Sequence, residues 1–304
     1  MSVTRRALVI AGFEIYWYAV LIVLGAVSAF VVCEKRQKLL GLKPDTAIDL
    51  ALVCLPCGII GARAYYVLFN PGAFSCVWDV LDLRSGGLAI YGGLLTGLAG
   101  GLIYARLRHE SFLRLCDMVL PAVALAQALG RWGNFLNEEA YGIEIRTSRL
   151  RFFPVAVYIS ESGSWHAATF FYESLWCLFI FLLICVLPSR KAFTAKGNGT
   201  LAYLCLYAFE RTATEGLRLD SLYLAGNIRA SQLLSALVLC GCCVYLLKCA
   251  TVPLKAAAFA AGGALILSAL CLFPQAVLYI SLPLVGTLAL IGFVRRVRRQ
   301  SEEM

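Results

Sequence analysis

Charged and amide side chains follow directly on an apolar run near the middle of the chain. One arginine, two amides and two carboxylates stand close together: Arg131, Asn134, Asn137, Glu138 and Glu139. Ionised groups are costly in hydrocarbon, so a cluster of this kind inside a membrane protein indicates a functional site. Arg131 and Asn134 are three residues apart and would face the same side of a helix. The alternative, that these charges only cap a helix end and reach to water, is disfavoured by their density.

A second polar stripe lies further along the chain. Tyr207, Arg211 and Glu215 are spaced by four residues and Arg218 follows three later, so all four would share one face of an otherwise apolar helix. An arginine there could offer its planar fork to a phosphate while Glu215 orients it. The arginine and the glutamate could instead neutralise each other between helices, and the spacing leaves both interpretations open.

The elements that must position these groups are membrane helices. Hydrophobic residues make up 61% and charged residues 15% of the 304 positions, and the mean hydropathy is +0.79. A soluble domain carries about 25% charged residues, and apolar runs of about 20 residues, enough to cross a bilayer, recur along this chain. The sequence therefore predicts an all-α fold, a polytopic transmembrane helical bundle. The predicted spans are residues 14–33, 47–69, 88–105, 118–133, 170–187, 200–217, 230–247, 256–273 and 277–294.

The distribution of basic residues predicts the orientation. Most of the 27 Lys and Arg residues fall in loops on one side of the predicted bundle, and the positive-inside rule makes that side cytoplasmic. The N-terminus and the loop 138–169 would then face outward, although Arg5 and Arg6 run against the rule. A cleaved signal peptide is not expected in the first 33 residues, because the apolar run is long and contains Glu14. The net charge of +9 fits this topology and attraction to a lipid bilayer, and no nucleic acid partner is expected.

No metal or cofactor is expected. Nearly all of the 13 cysteines lie in apolar spans, where cysteine behaves as a small apolar residue. Cys54 and Cys57 have redox-like spacing, but no histidine or acid stands near them to complete a metal site. Two histidines in the whole chain are too few for a histidine-based centre.

The third predicted span is rich in glycine. Gly93, Gly97 and Gly101 recur every four residues and would form a smooth stripe for a close helix contact. Gly92 and Gly93 also follow Tyr91 at the outer end of this span, where backbone N–H groups could approach an anionic headgroup.

The motif Gly-Arg-x-Gly-Asn-Phe-x-Asn-x-Glu-x-x-Gly at residues 130–142 resembles the signature of the bacterial prolipoprotein diacylglyceryl transferases at every fixed position. Further blocks that resemble this family follow in the family's order. They are residues 17–18, 61–67, 86–93, 169–174, 211–221 and 229–232. Together the blocks cover about residues 16 to 247, and several motifs in order are more specific than any one of them.

The resemblance implies a multi-pass enzyme of the bacterial cytoplasmic (inner) membrane with a seven-helix core. Its substrates would be phosphatidylglycerol and the signal peptide of a prolipoprotein that carries a lipobox cysteine. The diacylglyceryl group would pass to the cysteine thiol as a thioether, and glycerol phosphate would be released. Carried over by position, Arg131 and Arg211 would be essential arginines and Tyr18 an essential aromatic, with Asn134, Glu139 and Gly142 as signature positions.

To catalyse the implied reaction, the protein must hold the leaving phosphate, generate a thiolate and align the two. Arg131 and Arg211 are predicted to meet the charge that develops on the leaving phosphate. The base could be Glu139, His166 or Tyr91, in that order, because a thiol of pKa about 8.5 needs help near neutral pH. Many family members have histidine where this chain has Tyr91, and His166 is displaced by one residue and lacks the usual neighbouring proline. The positions expected to bind substrate are Tyr18, Arg63, Gly92, Gly93, Asn134, Asn137, Gly142, Glu173, Tyr207, Glu215 and Arg218.

Three segments are predicted. Residues 1–250 would form the transferase core, 251–294 an additional transmembrane hairpin beyond the seven-helix core, and 295–304 a basic cytoplasmic tail. The alternatives are a membrane transporter and a non-catalytic lipid- or lipoprotein-binding membrane protein. A transporter is disfavoured because the polar groups gather near outer helix ends and no internal repeat is found. An intramembrane protease is disfavoured because no Gly-x-Ser-Gly motif is paired with a histidine.

Overall fold

The computed structural model describes residues 2–3, 7–10, 13–74, 76–83, 86–187, 192–247, 252–270 and 275–302. The chain divides into two compact units. The larger unit comprises Met1–Ala29 and Leu120–Met304, and the smaller unit comprises Phe30–Val119.

Helices dominate both units. They are α1 (Trp17–Leu39), α2 (Thr46–Phe69), α3 (Val77–Leu81), α4 (Ile90–Arg108), α5 (Phe112–Asn137), α6 (Thr169–Phe181), α7 (Asn198–Thr214), α8 (Ala230–Leu246), α9 (Val252–Ala269) and α10 (Gln275–Glu302). A π-helical turn, Leu182–Val186, continues α6, and a 3-10 turn, Glu215–Leu217, follows α7. By length and composition, six of the described helices could cross a membrane: α1, α2, α4, α5, α10, and α6 with its π turn.

Short strands connect some of the helices. β1 (Ser2–Val3), β2 (Ala7–Ile10) and β3 (Phe13–Tyr16) form an antiparallel sheet before α1. β4 (Ala156–Ile159) and β5 (Ser164–Ala167) form a hairpin before α6, with Val157 opposite His166. β6 (Tyr223–Ala225) and β7 (Ile228–Arg229) form a second hairpin before α8.

The predicted all-α class is confirmed, and each of the nine predicted spans falls on a helix. The boundaries differ in several places, among them the end of α7, which stops at Thr214 so that Arg218 lies beyond the helix predicted to carry it. Glu14 lies in β3, and α1 begins at Trp17. The fourth predicted span ends at residue 133, whereas α5 continues for another turn to Asn137. Residues 271–273 of the eighth span, and the predicted segment boundary at 250–251, lie outside the described residues. Most of the predicted basic tail belongs to the last turns of α10.

Among its described residues, the larger unit has three apolar clusters. One joins α7, α8, α9 and α10 around Leu239, Leu265 and Leu278, and another joins α5, α6 and α7 around Ile180. The third lies between the β4–β5 hairpin and the start of α6, around Phe170. These clusters fix the ends of α5, α6 and α7, which carry the polar residues singled out from the sequence.

The smaller unit is organised by a close contact between α2 and α4. A Cβ on Gly92 would overlap the Gly61 carbonyl oxygen, and one on Gly93 would lie 3.1 Å from the Gly58 carbonyl oxygen. The Thr96 hydroxyl donates to the Cys57 carbonyl oxygen at 2.7 Å across the same contact. Glycine is required here because the two backbones touch. The structure thus gives Gly92 and Gly93 a packing role, and the expected headgroup contact at these glycines stays a prediction.

Candidate active site

Three guanidinium groups meet on one buried carboxylate in the larger unit. Glu173 lies in the second turn of α6 with its side chain 1% exposed. Arg211 Nη1 lies 3.2 Å and Arg218 Nη1 3.0 Å from Glu173 Oε1, and Arg131 forms an ion pair with Oε2. A buried carboxylate is tolerated only when it is paired and hydrogen-bonded. Glu173 satisfies that condition with three cations, so it acts as the hub of the site.

Each arginine comes from a different element. Arg131 lies near the end of α5, Arg211 in the last turn of α7, and Arg218 directly after the 3-10 turn. Two further carboxylates complete the arrangement: Glu215 pairs with Arg211, and Asp220 pairs with Arg218 at 2.7 Å. We call these six residues the arginine cluster; they are Arg131, Glu173, Arg211, Glu215, Arg218 and Asp220. The structure therefore brings together, from separate helices, the two arginines that the sequence analysis singled out for the phosphate, Arg131 and Arg211.

The three arginines differ in access. The Arg131 side chain is 20% exposed, that of Arg211 14% and that of Arg218 9%. Arg218 Nε and Nη2 donate to the two oxygens of Asp220, and its Nη1 donates to Glu173. Burial alone would lower the pKa of Arg218, but the bonds to Asp220 and Glu173 outweigh it and raise the pKa above its ordinary value. Arg218 is held on both edges, Arg211 is bonded at both Nη1 and Nη2 but is more exposed, and Arg131 is bonded through Nη2 and is the most exposed of the three.

Glu210 is a buried carboxyl group that the sequence analysis did not single out. It lies on α7 next to Arg211, and neither carboxyl oxygen has a hydrogen-bonding partner within the described part of the chain. A buried polar group without a partner costs about 1–3 kcal/mol. A hydroxyl or amide donor from a bound ligand would remove that cost. Helical spacing could have revealed it, since Glu210 follows Tyr207 by three residues.

The signature segment forms a small network at the end of α5. The Asn134 amide donates to Glu139 Oε1 at 2.9 Å, and the Asn137 amide donates to the same oxygen at 3.4 Å. Glu138 turns the other way and accepts from the Ser160 N–H and hydroxyl at 3.0 and 2.8 Å. The segment therefore presents one carboxylate held by two amides, beside a second that fastens the β4–β5 hairpin.

Gly142 and His166 hold this loop in place. The Gly142 N–H donates to the Ala167 carbonyl oxygen at 2.9 Å, and its own carbonyl oxygen lies 2.9 Å from His166 Nδ1. A Cβ on Gly142 would lie 2.9 Å from the Thr169 methyl group and 3.1 Å from the Leu217 carbonyl oxygen. The buried imidazole reaches the hydroxyls of Ser162 and Ser164 through Nε2 at 3.0 and 2.9 Å. Both ring nitrogens are thus occupied.

Two tyrosines of the expected site also lie in the larger unit. Tyr18 packs directly on Gly133, where a Cβ would overlap its ring, so this glycine is required for the aromatic ring to lie against α5. Tyr207 lies one turn before Arg211 and stacks on Tyr203 with ring centroids 5.5 Å apart. The Tyr203 hydroxyl donates to Gln127 Oε1 at 3.0 Å.

Arg63 and Tyr91 belong to the smaller unit. Arg63 donates to five backbone carbonyl oxygens, at 2.6 to 3.1 Å, and so uses all of its N–H groups. No donor remains for a phosphate, which favours a structural role over the expected substrate contact. Gly87 has a φ of +72°, and a Cβ there would lie 2.5 Å from Arg63 Nη1. Tyr91 is the second residue of α4 and is partly buried.

Comparison with known proteins identifies the family. Residues 5–248 match the prolipoprotein diacylglyceryl transferase family. The phosphatidylglycerol–prolipoprotein diacylglyceryl transferase 1 of Clostridium perfringens is 40% identical over 232 residues, which are 75% of this chain and 87% of that protein. The transferase of Finegoldia magna is 41% identical over 240 residues, 78% of this chain and 92% of that protein. The transferase of Enterococcus faecalis is 40% identical over 235 residues, 74% of this chain and 82% of that protein. The chain is a member of the prolipoprotein diacylglyceryl transferase family.

Proposed function

We propose that this protein transfers the diacylglyceryl group of phosphatidylglycerol to the lipobox cysteine thiol of a prolipoprotein. The bond between the glycerol carbon and the phosphate oxygen breaks, and a carbon–sulfur bond forms at that carbon. The thiol proton is lost to a base, and glycerol phosphate leaves. The observation that carries the proposal is the meeting of Arg131, Arg211 and Arg218 on Glu173.

Arg131 and Arg211 hold the phosphate in this proposal. Both side chains stay partly exposed, at 20% and 14%, and each charge-assisted hydrogen bond to a phosphate oxygen contributes about 1.5–3 kcal/mol. Glu173 fixes the two groups before substrate arrives, so they need little rearrangement as charge develops on the leaving group. Because Glu173 is itself buried and paired with three guanidinium groups, its proposed role is to orient these donors.

Arg218, Glu215 and Asp220 act as positioning residues. Arg218 is bonded on both edges and offers no free face of its fork, so it sets the place of Glu173. Glu215 fixes the position of the Arg211 guanidinium group through their ion pair. Tyr18, Tyr207, Asn137 and Gly142 remain proposed substrate contacts, and packing around Gly142 already explains its lack of a side chain.

Glu139 is the proposed proton acceptor for the thiol. The amides of Asn134 and Asn137 both donate to Oε1, which leaves Oε2 available within the described part of the chain. His166 is a weaker candidate because its two nitrogens already bind a carbonyl oxygen and two serine hydroxyls. Tyr91 belongs to the smaller unit and remains the third candidate.

The proposed location is the bacterial cytoplasmic membrane, with the N-terminus and the site facing outward and the C-terminus in the cytoplasm. The six helices long and apolar enough to cross a membrane support a multi-pass protein. The basic residues of the last turns of α10 support a cytoplasmic end. A C-terminal reporter that is active only in the cytoplasm should give signal, and a reporter active only outside should not. The reverse pattern would refute this orientation.

The decisive experiment places the purified protein in vesicles with phosphatidylglycerol labelled in the glycerol carbons of its diacylglyceryl group and a peptide carrying the lipobox cysteine. We expect the label on the peptide in an alkali-resistant linkage, together with an equal amount of released glycerol phosphate. A peptide with the cysteine replaced by serine is the control and should stay unlabelled. Equal labelling of both peptides, or labelled diacylglycerol without labelled peptide, would refute thioether transfer.

A further inference from the structure

The larger unit contains an apolar cavity of about 440 Å³ that the proposed chemistry does not use. Its walls come from α6, α7, α8 and α10, and nearly all of the lining side chains are apolar. This volume lies within the range of about 300–1,000 Å³ that is usual for pockets binding small molecules. Apolar cavities of this kind do not hold ordered water. Hydrocarbon is therefore the chemistry that suits the cavity.

The cavity begins next to the arginine cluster. Trp176, on its wall, follows Glu173 by three residues on α6, and the Trp176 ring stacks on Phe209 with centroids 5.9 Å apart. Phe209 and Arg211, two residues apart, face different sides of α7. Trp176 places one end of the cavity within about one helical turn of Glu173, the hub of the arginine cluster.

The distance along α7 from Arg211 to the far end of the cavity is about that of one leaflet of a membrane. Ala202 lines it on α7 nine residues before Arg211, which is about 14 Å along the helix at about 1.5 Å per residue. Half of a hydrocarbon core of about 30 Å is about 15 Å. On α10, Thr287 and Leu290 line the cavity and are exposed, so its α10 side opens to the surroundings of the helix.

The wall supplied by α10 is firmly attached to α7. Arg296 donates through Nε to Asn198 Oδ1 at 2.7 Å, and the Asn198 amide donates to Gln300 Oε1 at 2.8 Å. A Cβ on Gly286 would lie 3.0 Å from the Phe209 ring, so α10 touches α7 in the middle of the cavity as well. This helix lies beyond the residues 5–248 that match the family.

We propose that this cavity binds one acyl chain of the phospholipid substrate, and that α10 thereby sets which chain lengths are used. The proposal rests on the proposed transfer reaction and extends it to the lipid tails. An apolar segment of the signal peptide is the other hydrocarbon source in this reaction. A helix about 10 Å across and 14 Å long fills on the order of 1,000 Å³, which exceeds this cavity. A single acyl chain is the better fit.

The first test uses the unaltered protein in vesicles with phosphatidylglycerol that carries a photoreactive group at the end of one acyl chain. After illumination, we expect mass spectrometry to find the crosslink on the cavity-lining residues of α7 and α10. Crosslinks only on residues outside the cavity, or on the cavity from a photoreactive lipobox peptide, would overturn the proposal. This measurement does not require turnover, so a failure of the transferase assay alone would leave it standing.

The second test narrows the cavity and reads chain preference from competing lipids. Ala202→Leu fills the deep end, and we expect the ratio of short-chain to long-chain diacylglyceryl transfer to rise at least threefold. Thr287→Trp should also change this ratio, because it fills the α10 side. Leu284→Trp is the matched control, since Leu284 is exposed on α10 and does not line the cavity. An unchanged ratio in active Ala202→Leu and Thr287→Trp variants would overturn the proposal.

Discussion

Two arginine environments in this protein differ in what holds the guanidinium group. In the smaller unit, Arg63 gives every N–H donor to a backbone carbonyl oxygen. In the larger unit, Arg131 and Arg211 bind carboxylates and keep part of each side chain accessible. Carbonyl oxygens use up the donors of a cation without neutralising it, whereas carboxylates neutralise its charge. Arg218 shows that carboxylates can also occupy both edges of the guanidinium group. The partner and the remaining exposure together separate an arginine that fixes the fold from one that can meet a phosphate.

Glu173→Gln would change the larger unit most. The amide cannot neutralise Arg131, Arg211 and Arg218, and breaking a buried ion pair costs about 3–5 kcal/mol. We expect a clear fall in the midpoint of thermal unfolding and loss of transfer. Glu144→Gln is the matched control, because the ion pair of Glu144 with Arg146 is exposed. A normal midpoint for Glu173→Gln would contradict the hub role of this carboxylate.

Arg211→Lys tests an arginine whose guanidinium group is bound by carboxylates. The lysine keeps the charge but loses the planar fork, so we expect kcat/KM to fall by about 100-fold or more. The matched control is Arg108→Lys, because Arg108 forms an exposed ion pair with Asp49 at 2.9 Å. This substitution should leave kcat/KM unchanged. Both are measured by transfer to the lipobox peptide. Near-normal turnover by Arg211→Lys would remove this arginine from the chemistry.

Arg63→Lys tests the arginine whose guanidinium group is bound only by backbone carbonyl oxygens within the described part of the chain. Lysine has three donors in place of five, so at least two carbonyl oxygens lose their partner, at about 1–3 kcal/mol for each buried group. We expect a lower unfolding midpoint, with the activity of each folded molecule preserved. The activity of each folded molecule is obtained by dividing the specific activity of the variant by the fraction of molecules that are folded. An inactive variant of full stability would place Arg63 in the same class as Arg211.

Gly142→Ala is expected to have the smallest effect of the four. The new methyl group meets the Thr169 and Ala167 side chains and the Leu217 carbonyl oxygen, and such overpacking costs about 1–3 kcal/mol. Gly130→Ala is the control, because no atom lies within 4 Å of its added Cβ. The measurement is the midpoint of thermal unfolding of the Gly142→Ala and Gly130→Ala variants. Equal midpoints, with activity lost only in Gly142→Ala, would favour direct substrate contact by Gly142.

Hydropathy was sufficient to predict the helices, because each span needs a long apolar run that is visible in the chain itself. It missed the β-hairpins and the last turn of α5, since short polar segments take their structure from tertiary contacts. Helical spacing correctly placed Arg211 and Glu215 on one face. It could not show that Glu173 binds three arginines, because that meeting joins separate helices. The backbone carbonyl partners of Arg63 could not be predicted either, because they lie 16 to 24 residues away along the chain.

The arginine cluster contains as many carboxylates as guanidinium groups. Opposite charges so close together cancel at a distance, and the cluster projects almost no field beyond a few ångströms. A lipid headgroup would then find these residues by lateral diffusion and close fit, without being steered from afar. The apparent affinity for phosphatidylglycerol should accordingly vary little with ionic strength.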